Sequence, residues 1–298
     1  MKNRATAESA DGKMLETIKQ LAIVAMFSDD ELMEQLVLKG GNAMDIVLQV
    51  HSRASVDLDF SLAADLDFET LQPRLVRALN VTFRDSGLLP FDIKVSARPG
   101  ELADELSKFW GGYLVEFKLI ARQRADAVGQ DIETMRREAV KLGEGTKFTI
   151  DISRHEYIEG KEPRQLLGYS IYAYSPEMIV CEKLRAICQQ MPEYGPVILR
   201  NGSGKQRARD FVDIAALVTH FGVDLSGERA QHVVREMFGV KRVPLALLAN
   251  IRAHADFHAL GFASVTATMK PGVKIETFEH YVDFVVNECR KLEALWHV

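Results

Sequence analysis

The chain is predicted to be an α+β protein: a mixed sheet with helices, followed by a helical C-terminal domain. Three observations predict it. Apolar residues alternate between period two and period 3.6 through the first half, only the helical period persists beyond Tyr174, and the composition is that of a globular protein. Hydrophobic residues are 47% and charged residues 27% of 298, so a core can form and a largely disordered chain is excluded. The two parts are expected at 14–174 and 175–298.

Leu15 to Phe27 has helical spacing, and Ser28-Asp29-Asp30 supplies caps for a short following helix. Leu36-Val37-Leu38 reads as a strand ending at Gly40-Gly41, and Asn42 to Val50 as a helix. Val56 to Leu62 alternates as a strand, and Phe68 to Leu79 is helical. Phe91 to Ala97, Tyr113 to Ile120, Lys147 to Ser153 and Tyr169 to Tyr174 read as further strands, with a charged helix over Arg124 to Lys141. Helices are expected at Pro176–Gln190, Arg207–Phe221, Glu228–Phe238, Val243–His254 and Glu276–Leu295. Met191 to Gly204, rich in Gly and Pro, is the clearest internal loop. No repeat of 20–50 residues is visible.

No run approaches the roughly 18 apolar residues of a membrane span. Met1 to Lys13 is polar, with no apolar segment of a signal peptide, and is expected to be a frayed tail. Cys181, Cys188 and Cys289 have no spacing for zinc, and Cys181 and Cys188, seven apart on a helix, lie too far apart to bond. Reduced thiols in a cytoplasmic protein follow. The net charge of -5 does not advertise a nucleic-acid binder, although Arg200, Lys205, Arg207 and Arg209 form a local basic stretch. Another, from Lys118 to Lys141, is interrupted by acids and reads as a solvated face.

Asp57 and Asp59 lie two apart on a predicted strand, so both carboxylates point to one face while Val56, Leu58 and Phe60 point to the other. Adjacent carboxylates repel unless a cation lies between them, and magnesium prefers such oxygen ligands together with phosphate oxygens. An exposed strand edge would explain the pair as well. The tetrapeptide Asp-Leu-Asp-Phe recurs at 65–68, but there Asp67 precedes a helical pattern and serves as its N-cap. The chemistry is therefore assigned to the first copy. Gly40 and Gly41, at a strand-to-helix turn sixteen positions before Asp57, let backbone N–H groups approach phosphates. Asp151 alternates with Ile150 and Ile152 and is the candidate third carboxylate, or else a polar residue on an exposed face. Lys183 centres a mostly apolar helical arc, from which it either snorkels or reaches a triphosphate. Asp210 flanks the apolar face of its helix, whereas Asp213 is expected to point outward; either acid could simply oppose the helix dipole.

Together, Leu38-Lys39-Gly40-Gly41-Asn42-Ala43, Arg53-Ala54-Ser55-Val56-Asp57-Leu58-Asp59-Phe60-Ser61, Glu182-Lys183-Leu184-Arg185-Ala186 and Arg207-Ala208-Arg209-Asp210-Phe211-Val212-Asp213 resemble the AbiEii/AbiGii-type nucleotidyltransferase toxin family, which includes the MenT toxins. The resemblance implies a DNA-polymerase-β-like nucleotidyltransferase fold with a helical C-terminal half. It implies that Gly40, Gly41 and Asn42 hold the triphosphate, Asp57 and Asp59 the magnesium (or manganese), and Lys183 the phosphates, with Asp210 an essential acid; Asp151 matches less securely. Asn42 stands where the family usually has Thr, and Val56 where an acid is frequent. Family members are toxins of toxin–antitoxin or abortive-infection systems, and some add nucleotides from an NTP to the tRNA 3′ end and block translation. A cognate antitoxin is implied and a membrane partner is not. On that reading the Arg200–Arg209 stretch tracks RNA. Nucleotidylation of a protein hydroxyl, or nucleotide binding without turnover, are the competing readings.

Overall fold

The computed structural model describes residues 2–50, 57–63, 66–141, 145–269 and 273–297. The expected mixed sheet is present, and the long helices and strands are labelled here in chain order. Helix α1 (Lys2–Met26) and α2 (Asp30–Gln35) lead into β1 (Leu36–Lys39), then β2 (Leu58–Leu62), α3 (Phe68–Phe83), β3 (Leu88–Arg98), β4 (Gly112–Ala121), β5 (Phe148–Ser153), β6 (Glu162–Leu166) and β7 (Tyr169–Ala173). The helices α4 (Pro176–Cys188), α5 (Ala208–Phe221), α6 (Glu228–Gly239) and α7 (Phe278–Arg290) follow. The strands form one sheet in the order β3-β4-β5-β2-β1-β7-β6, parallel at β2/β5 and β1/β7 and antiparallel elsewhere. Among the described residues no helix is long and apolar enough to cross a membrane.

Period-two alternation divides the sheet into an oily face and a polar one. Leu58, Phe60 and Leu62 of β2 and Ile150 and Ile152 of β5 are buried. They share a core with α1 and α3, where Phe27 meets Phe60 at 6.0 Å and Phe83 meets Phe117 at 6.1 Å between ring centroids. The opposite face carries Asp59 and Ser61 on β2 with Thr149, Asp151 and Ser153 on β5. Helix α4 stands across a cavity from that face. Ser175 caps α4 by accepting from the Met178 N–H, and Asp67 caps α3 by accepting from Thr70.

Several local expectations are corrected. Helix α1 starts at Lys2, so residues 2–13 are not a frayed tail; their Ala, Glu and Lys content favours helix. The single charged helix over 124–141 is two short ones, Arg122–Ala127 and Ile132–Arg137. Gly129 and Gln130, both left-handed, separate them, and Asp131 caps the second. The segment 243–254 is two 3₁₀ pieces, Leu245–Asn250 and Arg252–His254, since the short run after Pro244 cannot repay α-helix nucleation. After Gly40–Asn42 the chain takes a π-helical turn, Ala43–Val47, rather than an α-helix to Val50. The loop over 191–204 contains a 3₁₀ segment, Pro192–Ile198. Strand β6 was not foreseen because its charges and Pro163 hide the alternation. It is a sheet edge that tolerates proline, joined to β7 through Leu167 and Gly168, both at positive φ.

One buried ionic cluster ties sheet to helices. Glu156, just beyond β5, accepts from Lys39 of β1 at 3.4 Å and from Arg185 of α4 at 2.8 Å, and lies 3.6 Å from Lys241, which follows α6. All four side chains are no more than 9% exposed. Arg185 also donates to the Met237 carbonyl, and Lys241 to those of Phe109 and Arg154. Burial would raise the Glu156 carboxyl, but Arg185, Lys241 and Lys39 outweigh it and hold the group far below its ordinary range.

Glu156→Ala leaves three buried cations without their carboxylate and is expected to cost about 3–5 kcal/mol in urea unfolding at neutral pH. Because the folded state depresses this carboxyl, its contribution is present above the ordinary glutamate value of 4.5 and is lost as pH falls below it. The gap between wild type and variant therefore narrows in acid.

Candidate active site

The pairing register builds the first part of the site. Lys39, Asp59 and Asp151 lie side by side on β1, β2 and β5. Asp57, immediately before β2, accepts a hydrogen bond from the Thr149 hydroxyl at 3.3 Å, on the same polar face. Thus two strands distant in sequence bring Asp57, Asp59 and Asp151 onto one surface. Burial pushes Asp59 up to about 6, Lys39 opposes the shift, and the neighbouring Asp151, Glu182 and Asp57 add to it. Asp151 has a cation of its own, Arg98, at 2.9 Å.

Gly40 abuts this acid row. It has φ +70°, and a Cβ there would lie 2.5 Å from Asp59 Oδ2. The glycine therefore permits both the left-handed turn and the close approach of backbone to carboxylate. Gly41 continues the turn into the Gly40–Asn42 helical segment. The Asn42 side chain is fully buried and donates to the Asp57 carbonyl at 2.5 Å. In this arrangement it fixes the residue that opens β2.

The second part comes from the C-terminal helices. Lys183 is buried between Asp210 at 3.0 Å and Asp213 at 2.7 Å. Burial works against its charge, but both carboxylates hold the ammonium protonated well above its ordinary range. Asp213 was expected to point outward. It is 1% exposed, because Lys183 draws it into the interface between α4 and α5. Arg207 also pairs with Asp210, at 2.5 Å. Arg207 and Lys183 together hold the Asp210 carboxyl low despite its burial.

A cavity of about 410 Å³ opens between the two parts. Its cations are Lys39, Arg98, Arg185, Arg207 and Lys241, its acids Asp151, Glu156 and Glu182, and Trp110 adds an aromatic wall. Lys183 is not on that wall; Glu182, one residue and about 100° earlier on α4, is. Arg207 joins the two clusters, since it faces the cavity while pairing with Asp210. Sequence reasoning gave no place at this cavity to Glu182, Arg207 or Lys241, Arg207 being read only as part of the basic stretch expected to track RNA. The first two lay inside quoted motifs, and a helical wheel for α4 separates Glu182 from Lys183. Lys241 carried no local signal. Arg200, expected on an RNA track, instead donates to the carbonyls of Gln189, Gln190 and Met191 beyond α4.

Among the described residues no group of three or more His, Cys, Asp or Glu is placed to hold a metal. What fits is smaller: two carboxylates, Asp57 and Asp59, on one face, with Asp59 pressed by like charges that a cation would relieve. Magnesium is commonly held by one or two carboxylates and completed by substrate phosphates and water.

A family model described as "Nucleotidyl transferase AbiEii toxin, Type IV TA system" matches residues 22–283. No curated protein sequence matches the chain significantly. Two solved structures from Helicobacter pylori are similar in outline. JHP933 shares 16% identity with TM-score 0.48 over 95% of each chain, and a candidate nucleotidyltransferase shares 14% with TM-score 0.47 over 94% of each.

The folded state raises the Asp59 carboxyl from 3.8 to about 6, so its ionisation weakens the fold as pH rises through that interval. Without divalent metal, Asp59→Asn is expected to raise stability at neutral pH by about 1–3 kcal/mol, read from the urea midpoint, with no gain at pH 4. Gly40→Ala is expected to lose more than about 1 kcal/mol, from its positive φ and the clash with Asp59.

Proposed function

The chain belongs to the AbiEii nucleotidyl transferase toxin family and is a nucleotidyltransferase; from that premise we propose that it transfers a nucleotide from an NTP to the 3′ end of an RNA, tRNA being the expected acceptor, and so blocks translation in the cytoplasm. The observation that carries this reading is the register that sets Asp59 beside Asp151 and Lys39 at the edge of a cavity lined by cations. A site of that polarity suits a substrate with both bound metal and phosphate charge. The toxin family implies a cognate antitoxin as partner.

In this mechanism Asp57 and Asp59 would hold magnesium or manganese. When bound, the ion supplies charge neutralisation for the triphosphate and for the attacking oxygen. Gly40 and Gly41 bring backbone close to the phosphates beside Asp59, and Asn42 keeps Asp57 in place through its carbonyl. The RNA 3′-hydroxyl attacks the α-phosphorus in line and pyrophosphate leaves. Arg207, between Asp210 and the cavity, meets the negative charge that grows on the leaving group. Lys183 reaches a phosphate only by exchanging one of its two carboxylates; otherwise it positions Asp210 and, through it, Arg207. Asp151 joins as a third carboxylate only on releasing Arg98.

The test is incubation with each labelled NTP and magnesium, together with total tRNA or cell protein. Label is expected in tRNA. Asp57→Ala and Asp59→Ala should lower it at least about a hundredfold, and Arg207→Ala should lower kcat about 10²–10³-fold. Label on protein alone would replace RNA as the acceptor; no label on either, or equal label with the Asp variants, would overturn the transfer mechanism.

A further inference from the structure

A second cavity, of about 190 Å³, adjoins the first. Gln190 is a wall of both. Met191, Pro192 and Phe257 give it apolar sides, and His254 with the segment Gly202-Ser203-Gly204 completes its wall. His258 also lines it, 1% exposed. The imidazole accepts the Arg207 backbone N–H at Nδ1, at 3.0 Å, and burial pushes its pKa down to about 4, so the ring is neutral and its proton resides on Nε2. Among the described residues that Nε2–H meets no acceptor.

Size, apolar sides and the rings of Phe257 and His254 describe a site for a flat heterocycle, which is a nucleobase. Its place relative to the chemistry suggests which base. Arg207 binds His258 through its backbone and faces the main cavity with its side chain, so the two cavities are separated by one residue's span. The main cavity already offers Trp110 and the cations for the NTP. The smaller one has room for a single base, and the exposed Lys205 and Arg209 flank the segment outside it. We propose that this cavity receives the unstacked base of the 3′-terminal nucleotide of the acceptor RNA, between Phe257 and Pro192, leaving its ribose 3′-hydroxyl at the main cavity. This rests on the reading of RNA as the acceptor.

The probe is a synthetic RNA stem with a single-stranded 3′ end carrying 2-aminopurine at its last position, added to the full chain. Binding to wild type is expected to change the probe's fluorescence. Phe257→Ala is expected to weaken binding about tenfold and to raise KM for RNA about tenfold, leaving KM for NTP unchanged. Phe257 is only partly buried, so its truncation is expected to leave the fold, and with it Arg207, in place. Wild-type binding that Phe257→Ala leaves intact overturns the base site. A rise confined to KM for NTP overturns the acceptor assignment in favour of the donor's base. Wild type that binds no RNA sinks the RNA reading itself, and with it this use of the cavity.

Discussion

A single carboxylate among three cations organises this molecule. Glu156 draws together the end of β1, the middle of α4 and the segment after α6, while its own backbone N–H donates to the Leu62 carbonyl at the end of β2. Without it, the polar face of the sheet and the C-terminal helices would present each other with unpaired charge. With it, α4 is held at the distance that leaves a cavity, and the cavity inherits the surplus positive charge of the cluster. The ionic hub that joins the two halves of the chain thus also makes the cavity attractive to an anion.

The two carboxylates nearest Lys39 meet opposite fates. Glu156 has three cations and is driven to ionise; Asp59 has three carboxylates near it and is pushed up to about 6. Lys39 lies beside Asp59 in the register, but its ammonium is committed to Glu156 and the Ser153 hydroxyl. Asp59 is therefore left partly unneutralised. Charge at that point is a cost to the fold that a bound cation would offset, which is how sites of this kind trade stability for chemistry.

Much of this was legible in the chain. The two copies of Asp-Leu-Asp-Phe could be told apart because one precedes a helix: Asp67 caps α3, whereas Asp57 and Asp59 open and line β2. Gly40-Gly41 could be singled out by its distance from Asp57, though the reason for glycine, the Asp59 carboxylate 2.5 Å from a Cβ, is a tertiary contact. Reading fared worse where side chains answered to distant partners. Asp213 looked outward on its own helix and is inward because Lys183 lies on another; Arg200 looked like part of a basic track and serves carbonyls. The charged helix over 124–141 broke at a glycine whose left-handed turn outweighed the helical pattern around it.

What the sequence determined by itself was local: the alternation that gives each strand an apolar and a polar face, the caps at Asp67 and Ser175, and the spacing of two acids on one strand. Those depend on interactions within a few residues, which periodicity and side-chain type reveal. Only the tertiary structure decided that Asp151 would stand beside Asp59, that Arg98 would already neutralise it, and that Glu182 rather than Lys183 would face the cavity. Strand register and the contact between α4 and α5 are set by the packing of the whole core, and no short window of sequence contains that information.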